Sequence, residues 1–183
     1  MKKIIELPVR AGELSELKAG DLLYLSGTLA TGRDAVYGRI VDAGLKCPFD
    51  LSFGAIYHTG PIVRENQNGA FELVSIGPTS SIRMEKWSAA FLEKTGAKIM
   101  IGKGSMGTGT ENGCRTFGAI HCVYPGGCAV LGAEQIEKIE TVFWHELGMA
   151  ECMWILKARE FGPLIVSIDT KGNNIFSGYN IHP

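Results

Sequence analysis

The chain has 183 residues, enough for one body with a buried core and too few for two full-sized domains. Its 18 Lys and Arg nearly cancel its 19 Asp and Glu, which argues against a nucleic-acid or acidic-membrane binder, and a 45% apolar, 20% charged composition excludes a disordered chain. Glycine is the outlier, with 24 residues, nearly twice the roughly 7% of ordinary chains.

In chain order, the patterning predicts strands at Ile4–Val9 and Leu22–Ser26, then a short helix after Gly32 that puts Val36, Ile40 and Val41 on one face. Strands Ala55–Val63 and Phe71–Ile76 follow, joined into a hairpin by the turn-forming residues Glu65–Gly69. A helix from Arg83 to about Lys94 precedes strands Lys98–Ile101 and Ala119–Tyr124. From Ala133 to Leu147 the apolar residues Ile136, Ile139, Val142, Phe143 and Leu147 recur at three- and four-residue steps, which predicts a helix. A second helix is expected from Ala150 to about Arg159, and a last strand at Leu164–Asp169. The fold class is α/β, a single domain over residues 1–183 with a mixed β-core and flanking helices. Strands and helices do not alternate steadily, so a regular doubly wound sheet is not the first choice.

No stretch approaches the ~18 uninterrupted apolar residues of a membrane span, and Met1–Gly20 has Lys2 and Lys3 without an apolar run behind them, so a cytoplasmic location is expected. The five cysteines, Cys47, Cys114, Cys122, Cys128 and Cys152, are odd in number, scattered, and contain no C-x-x-C pair. They read as reduced, small apolar thiols, and no metal site is assigned to this chain.

Three glycine-bearing turns carry cations. Gly102-Lys103-Gly104-Ser105-Met106-Gly107 has the spacing G-x-G-x-x-G after a strand, but neither a helix opening on the glycines nor an acidic residue about 20 positions later is evident, so dinucleotide binding is not favoured. The glycines let backbone approach a ligand while Lys103 offers it a charge. In Gly77-Pro78-Thr79-Ser80-Ser81-Ile82-Arg83-Met84, three hydroxyls and Arg83 sit between a strand and a helix start. A plain N-cap needs one hydroxyl and no arginine, so an anion site is the better reading. Thr31-Gly32-Arg33-Asp34 repeats the logic, with Arg33 able to grip a carboxylate bidentately. Together these turns point to a dicarboxylate or similar small anion. His58, beside a tight turn, either lines a pocket or is a satisfied core histidine, and His145-Glu146 lacks the second His of a zinc motif and reads as a helix-surface pair.

The ordered set of these motifs, with Gly20-Asp21, Leu25-Ser26-Gly27, Gly60-Pro61 and Phe161 to Asp169, resembles the β subunit, or C-terminal domain, of class I iron–sulfur fumarate hydratases and the related L-tartrate dehydratases. The resemblance covers nearly the whole chain. It implies a swivelling β/β/α domain and a partner α subunit that holds a 4Fe-4S cluster, with none bound by this chain. It further implies a hetero-oligomer such as a dimer of αβ pairs. Position by position it implies that Arg33, Arg83 and Lys103 bind substrate carboxylates, that Thr79 acts as the base on the substrate carbon, and that Ser80 joins the binding site. Many relatives carry Thr in place of Ser80 and His in place of Tyr37, to which no role is assigned. The expected function is the β subunit of a two-chain fumarate hydratase. An L-tartrate dehydratase β subunit and a stand-alone anion-binding module are the alternatives.

Overall fold

Two long strands set the scaffold. In the computed structural model, which describes residues 3–177, β2 (Leu22–Thr31) and β9 (Met153–Ile168) run antiparallel along most of their length, with Leu22 opposite Ile165 and Ala30 opposite Ile155. On its other side β2 pairs in parallel with β1 (Ile4–Glu6) and then with β3 (Ala55–Tyr57). The parallel order continues through β6 (Ile99–Gly102) and β7 (Ile120–Val123). The second half of β9 then pairs antiparallel with β7, Cys122 opposite Val166, so the sheet closes on itself. Strand β8 (Ile136–Phe143) lies against the first half of β9, and β4 (Ile62–Glu65) with β5 (Phe71–Ser75) forms a separate hairpin.

Alternation of side chains along these strands makes two cores from one sheet. Leu23, Leu25 and Leu29 of β2, Tyr57 of β3, Ile99 and Ile101 of β6, Cys122 of β7, and Trp154 and Leu156 of β9 point inside the closed sheet. Ala30, Ile56, Met100, Met153 and Ile155 point outward against α1 (Asp34–Val41), α2 (Glu85–Thr95) and α3 (Thr108–Phe117). A short helix, α4 (Ala129–Glu134), packs beside β5. The fold is α/β with a sheet-dominated core and few helices, as the composition of elements predicts.

Four expectations need correction. Ala133–Leu147 is not a helix: α4 ends at Glu134 and Ile136–Phe143 is β8. The register with β9 slips between Ile136 and Lys138 and again between Ile139 and Thr141, so each slip adds an unpaired residue. The inward-facing Ile136, Ile139 and Val142 therefore recur every third position, and two bulges counterfeit a helical period. Ala150–Arg159 is likewise not a helix; from Met153 it is β9, buried on both faces, which gives the continuous apolar run of an interior strand. The strand expected over Ala55–Val63 is interrupted at His58–Pro61, and β3 and β4 belong to different sheets. Finally, a helix does open on the glycines after β6: α3 has Gly107 as its N-cap. Its sequence, with two glycines and three threonines, is a poor helix former. It is started by a carboxylate from elsewhere, since Glu85 accepts the Gly107 N–H at 2.8 Å, the Thr110 N–H at 3.1 Å and the Thr110 hydroxyl.

No helix among the described residues is long and apolar enough to cross a membrane. The five cysteines are unbridged, with Cys114, Cys122 and Cys152 buried.

Leu156 is fully buried between Leu29 and Ile139 in the closed sheet. Leu156→Ala is expected to lower the unfolding free energy by about 2–5 kcal/mol in urea titrations; a loss under about 1 kcal/mol would mean that this interior is not close-packed.

Candidate functional site

The C-terminal ends of the parallel strands β2, β3, β6 and β7 open on one mouth, the usual ligand position in parallel sheets. Every site residue singled out from the sequence arrives there. Arg33 follows β2 and caps α1; Lys103 follows β6; Thr79 and Ser80 lie on the loop that leads from the β4–β5 hairpin into a 3-10 turn, Ser81–Met84, which carries Arg83. That loop is stitched into the mouth as an extra strand. Thr79 N–H donates to His58 O at 2.8 Å, Lys103 N–H to Thr79 O at 3.1 Å, and Ser81 N–H to Lys103 O at 3.0 Å. Thr59 also bridges Pro78, and Ser80 bridges Lys103.

The two arginines are held by acids that the sequence motifs did not single out as partners. Asp34 takes the Nε and Nη2 edge of Arg83, at 3.2 and 2.7 Å, the second an ion-pair contact without hydrogen-bond alignment. Arg33 Nη2 lies 3.1 Å from Glu151 Oε1, while Glu151 Oε2 accepts the Ala35 N–H at 3.2 Å and so completes the start of α1. Arg33 Nη1 runs past Gly60 so closely that a Cβ there would sit 2.6 Å away. Arg33 Nε is buried and has no hydrogen-bond partner among the described residues. A buried, unsatisfied guanidinium N–H is costly, and any acceptor that reached it, such as a carboxylate, would relieve that cost. Lys103 is exposed, and Thr79 and Ser80 are half-buried beside it.

Beneath the loop lies a chain of polar groups: it contains His58, Tyr37, to which the sequence assigned no role, and Ser81, which the sequence placed among the anion-site hydroxyls but which is fully buried, together with His121 and Ser167, which the sequence reading missed. Tyr37 Oη is 2.8 Å from His58 Nε2, His58 Nδ1 is 2.9 Å from Ser81 Oγ, Ser81 Oγ is 3.0 Å from His121 Nε2, and His121 Nδ1 meets Ser167 Oγ. All five residues have zero exposure. Burial drives the His121 pKa down to about 3 and that of His58 well below the ordinary histidine value, with His121 nearby adding to the effect on His58. His58 is thus a satisfied core histidine. Gly102 explains how the chain fits: a Cβ at that position would stand 2.0 Å from Ser81 Oγ.

The thiols do not form a metal-binding set. Among the described residues no three His, Cys, Asp or Glu side chains group to hold an ion. Burial pushes the Cys114 thiol up to about 12 and raises that of Cys122, away from the thiolate that ligates iron. His145 and Glu146 lie on a 3-10 turn, where Glu146 pairs with Arg39 at 2.6 Å, rather than on a helix.

The Fumarase C-terminus family matches residues 2–179, and the chain belongs to that family. It is 51% identical to the L(+)-tartrate dehydratase subunit beta of Escherichia coli over 97% of this chain and 88% of the relative. A putative L(+)-tartrate dehydratase subunit beta of Methanocaldococcus jannaschii is 38% identical over 92% of this chain and 88% of its own. A putative fumarate hydratase class I of Geobacillus stearothermophilus is 34% identical over 93% of this chain but only 33% of that longer protein.

Both buried imidazoles are neutral in the fold, whereas an unfolded histidine takes a proton near pH 6.5. Their contribution to stability is therefore complete above about pH 6.5 and is lost as pH falls toward 3, by up to ~1.4 kcal/mol per pH unit for each histidine. Urea midpoints should drop steadily from pH 7 to pH 5, before most carboxylates titrate. A flat profile over that range would show that the imidazoles are not held neutral.

Proposed function

We propose that this chain is the β subunit of a two-chain hydro-lyase that removes water from a hydroxy dicarboxylate, with L-tartrate as the favoured substrate. The supporting observation is the convergence of Arg33, Arg83 and Lys103 with Thr79 and Ser80 at one mouth. The tartrate reading is preferred over malate and fumarate because the chain matches tartrate dehydratase β subunits at 51% identity over nearly their full length, and a class I fumarate hydratase at 34%. Fumarate hydration remains the second reading, supported by the same carboxylate grips and by the family itself.

In this reading Arg33 and Arg83 each present the guanidinium face not taken by Glu151 or Asp34, and each binds one substrate carboxylate. Lys103, bridged to Ser80, supplies a third charge as a point cation. Removing a proton next to a carboxylate builds negative charge on that carboxylate, and fixed cations stabilise the charged state more than the ground state. Thr79 stands over the substrate carbon as the proton-abstracting group: it acts as the alkoxide, which the neighbouring cations stabilise after its own proton has passed to an acceptor in the assembled site, and the C–H proton then restores its hydroxyl, while Ser80 donates a hydrogen bond to the bound diacid. The leaving hydroxyl needs an electrophile, supplied by a 4Fe-4S cluster on the α subunit. The residues of this chain do not fit such a cluster, as the protonated, buried thiols indicate. The cation-bearing mouth then faces the partner.

The docking border fits the same reading. Ile62 and Val74 on the hairpin, Val130 and Leu131 on α4, and Met149 are all exposed apolar residues. Met149 Sδ lies 3.2 Å from the Val63 N–H, and Ala129 O accepts the Ile76 N–H at 2.9 Å, so these segments adjoin one another just behind Gly77 and Thr79. Such a patch beside an incomplete site suits a protein partner.

Assembled anaerobically with a cognate α subunit, the chain is expected to dehydrate L-tartrate faster than it hydrates fumarate; the reverse order would select the second reading, and no turnover of either would leave an anion-binding module. Thr79→Val should lower kcat at least about 100-fold with KM little changed, and near-normal turnover would remove Thr79 from this role. Arg83→Lys, which loses the fork, and Lys103→Ala should each raise KM about tenfold or more and lower kcat as well. Leu131→Asp should weaken association with the α subunit by about tenfold or more while leaving the fold of this chain intact; unchanged association would move the interface elsewhere.

A further inference from the structure

The buried polar chain under the catalytic loop has only one proton arrangement that satisfies all its members. Ser167 donates its hydroxyl hydrogen to His121 O at 3.1 Å, so the contact between Ser167 Oγ and His121 Nδ1 must be a donation from Nδ1–H. His121 is neutral, which makes its Nε2 an acceptor for the Ser81 hydroxyl. Ser81 Oγ then accepts from His58 Nδ1–H, and His58 Nε2 accepts from the Tyr37 hydroxyl. In the reverse direction the Tyr37 hydrogen would be a buried donor with no partner among the described residues. The direction is therefore fixed from Tyr37 to Ser167.

The chain ends on a backbone carbonyl and begins at a phenol with zero exposure, so it has no exit to water and cannot carry a net proton away. What it does is mechanical. It ties α1, the end of β3, the turn after the catalytic loop, β7 and β9 to the single atom Ser81 Oγ. Each ring is also held in place: Tyr37 stacks on Phe91 at 4.0 Å, and its ring meets His58 edge-on at 5.5 Å. Ser81 is two residues from Thr79, and its N–H holds Lys103 O, whose own N–H holds Thr79 O. We infer that Ser81, locked between His58 Nδ1–H and His121 Nε2, is the positioning residue that fixes Thr79, Ser80 and Lys103 against the arginines. The inference deepens the hydro-lyase reading and rests on it for the reaction, but its geometry is testable in the free chain.

Two-bond and three-bond proton–nitrogen correlation spectra of the full chain at neutral pH should show His58 and His121 both in the neutral Nδ1–H form. Either ring in the Nε2–H form, or either one charged, would overturn the inference. In Ser81→Ala, amide hydrogen exchange at Thr79, Ser81 and Lys103 should accelerate at least about tenfold relative to amides of β6, and in the assembled enzyme kcat should fall at least about tenfold with KM within about threefold, since misplacement costs chemistry more than grip. Tyr37→Phe keeps the packing and removes only the first donor; it should show the same split with a smaller drop in kcat. Variants that assemble with wild-type kcat, or that lose thermal stability without the local exchange change, would reduce the chain to core packing and overturn the inference. If the wild-type pair turns over no diacid, the functional reading falls, while the tautomers and the exchange at Thr79 and Lys103 still decide the positioning role.

Discussion

The antiparallel pairing of β2 with β9 is the constraint from which the rest of the molecule follows. A five-membered run of strands that ended at β7 would expose a row of unpaired backbone groups. Because β9 pairs with β7 and β2 at once, that edge disappears and the sheet encloses its own interior. A closed sheet has two ends, and the parallel strands β2, β3, β6 and β7 all point their C-termini at the same one. The loops that leave those strands have nowhere else to meet. The register shifts within the β2–β9 pair, on either side of Leu25, each add a residue to the 16-residue β9 and bend it locally.

At that end, charge and neutrality are layered. Above the sheet sit three cations, two of them already offset by Asp34 and Glu151, so that the cradle keeps a modest positive excess. Glu151 and Asp34 hold the guanidinium planes in place more than they compete for them, because a guanidinium has donors on more than one edge. Below lies a layer of hydroxyls and neutral imidazoles with no net charge. A charged support would compete with the substrate for the cations; a neutral one fixes the loop without altering the field that the substrate feels. This separation of tasks fits the proposed half-site, whose electrophile would come from a partner.

The candidate site was more legible in the sequence than the fold that carries it. Arg33, Arg83, Lys103, Thr79 and Ser80 each stand in a short turn whose glycines and hydroxyls signal the local backbone, and such signals survive without tertiary knowledge. The elements that failed are those whose pattern is set from outside. In β8 two bulges convert an alternation of two into a spacing of three, and α3 forms from poor helix formers because Glu85, on another helix, supplies its cap. The buried chain was hidden for the same reason. Tyr37, His58, Ser81, His121 and Ser167 are spread over 131 positions and carry no common spacing, and only closure of the sheet brings them within hydrogen-bond reach.

The tight approach at Gly102 bears on how such a protein can diverge. A methyl group at that position would collide with the oxygen of Ser81 at 2.0 Å, so the two sites cannot vary independently. Giving up the hydroxyl at position 81 would remove that collision but leave the His58 ring 3.0 Å from the same point. Glycine, serine and histidine therefore constrain one another, and the three positions diverge as a unit rather than one at a time.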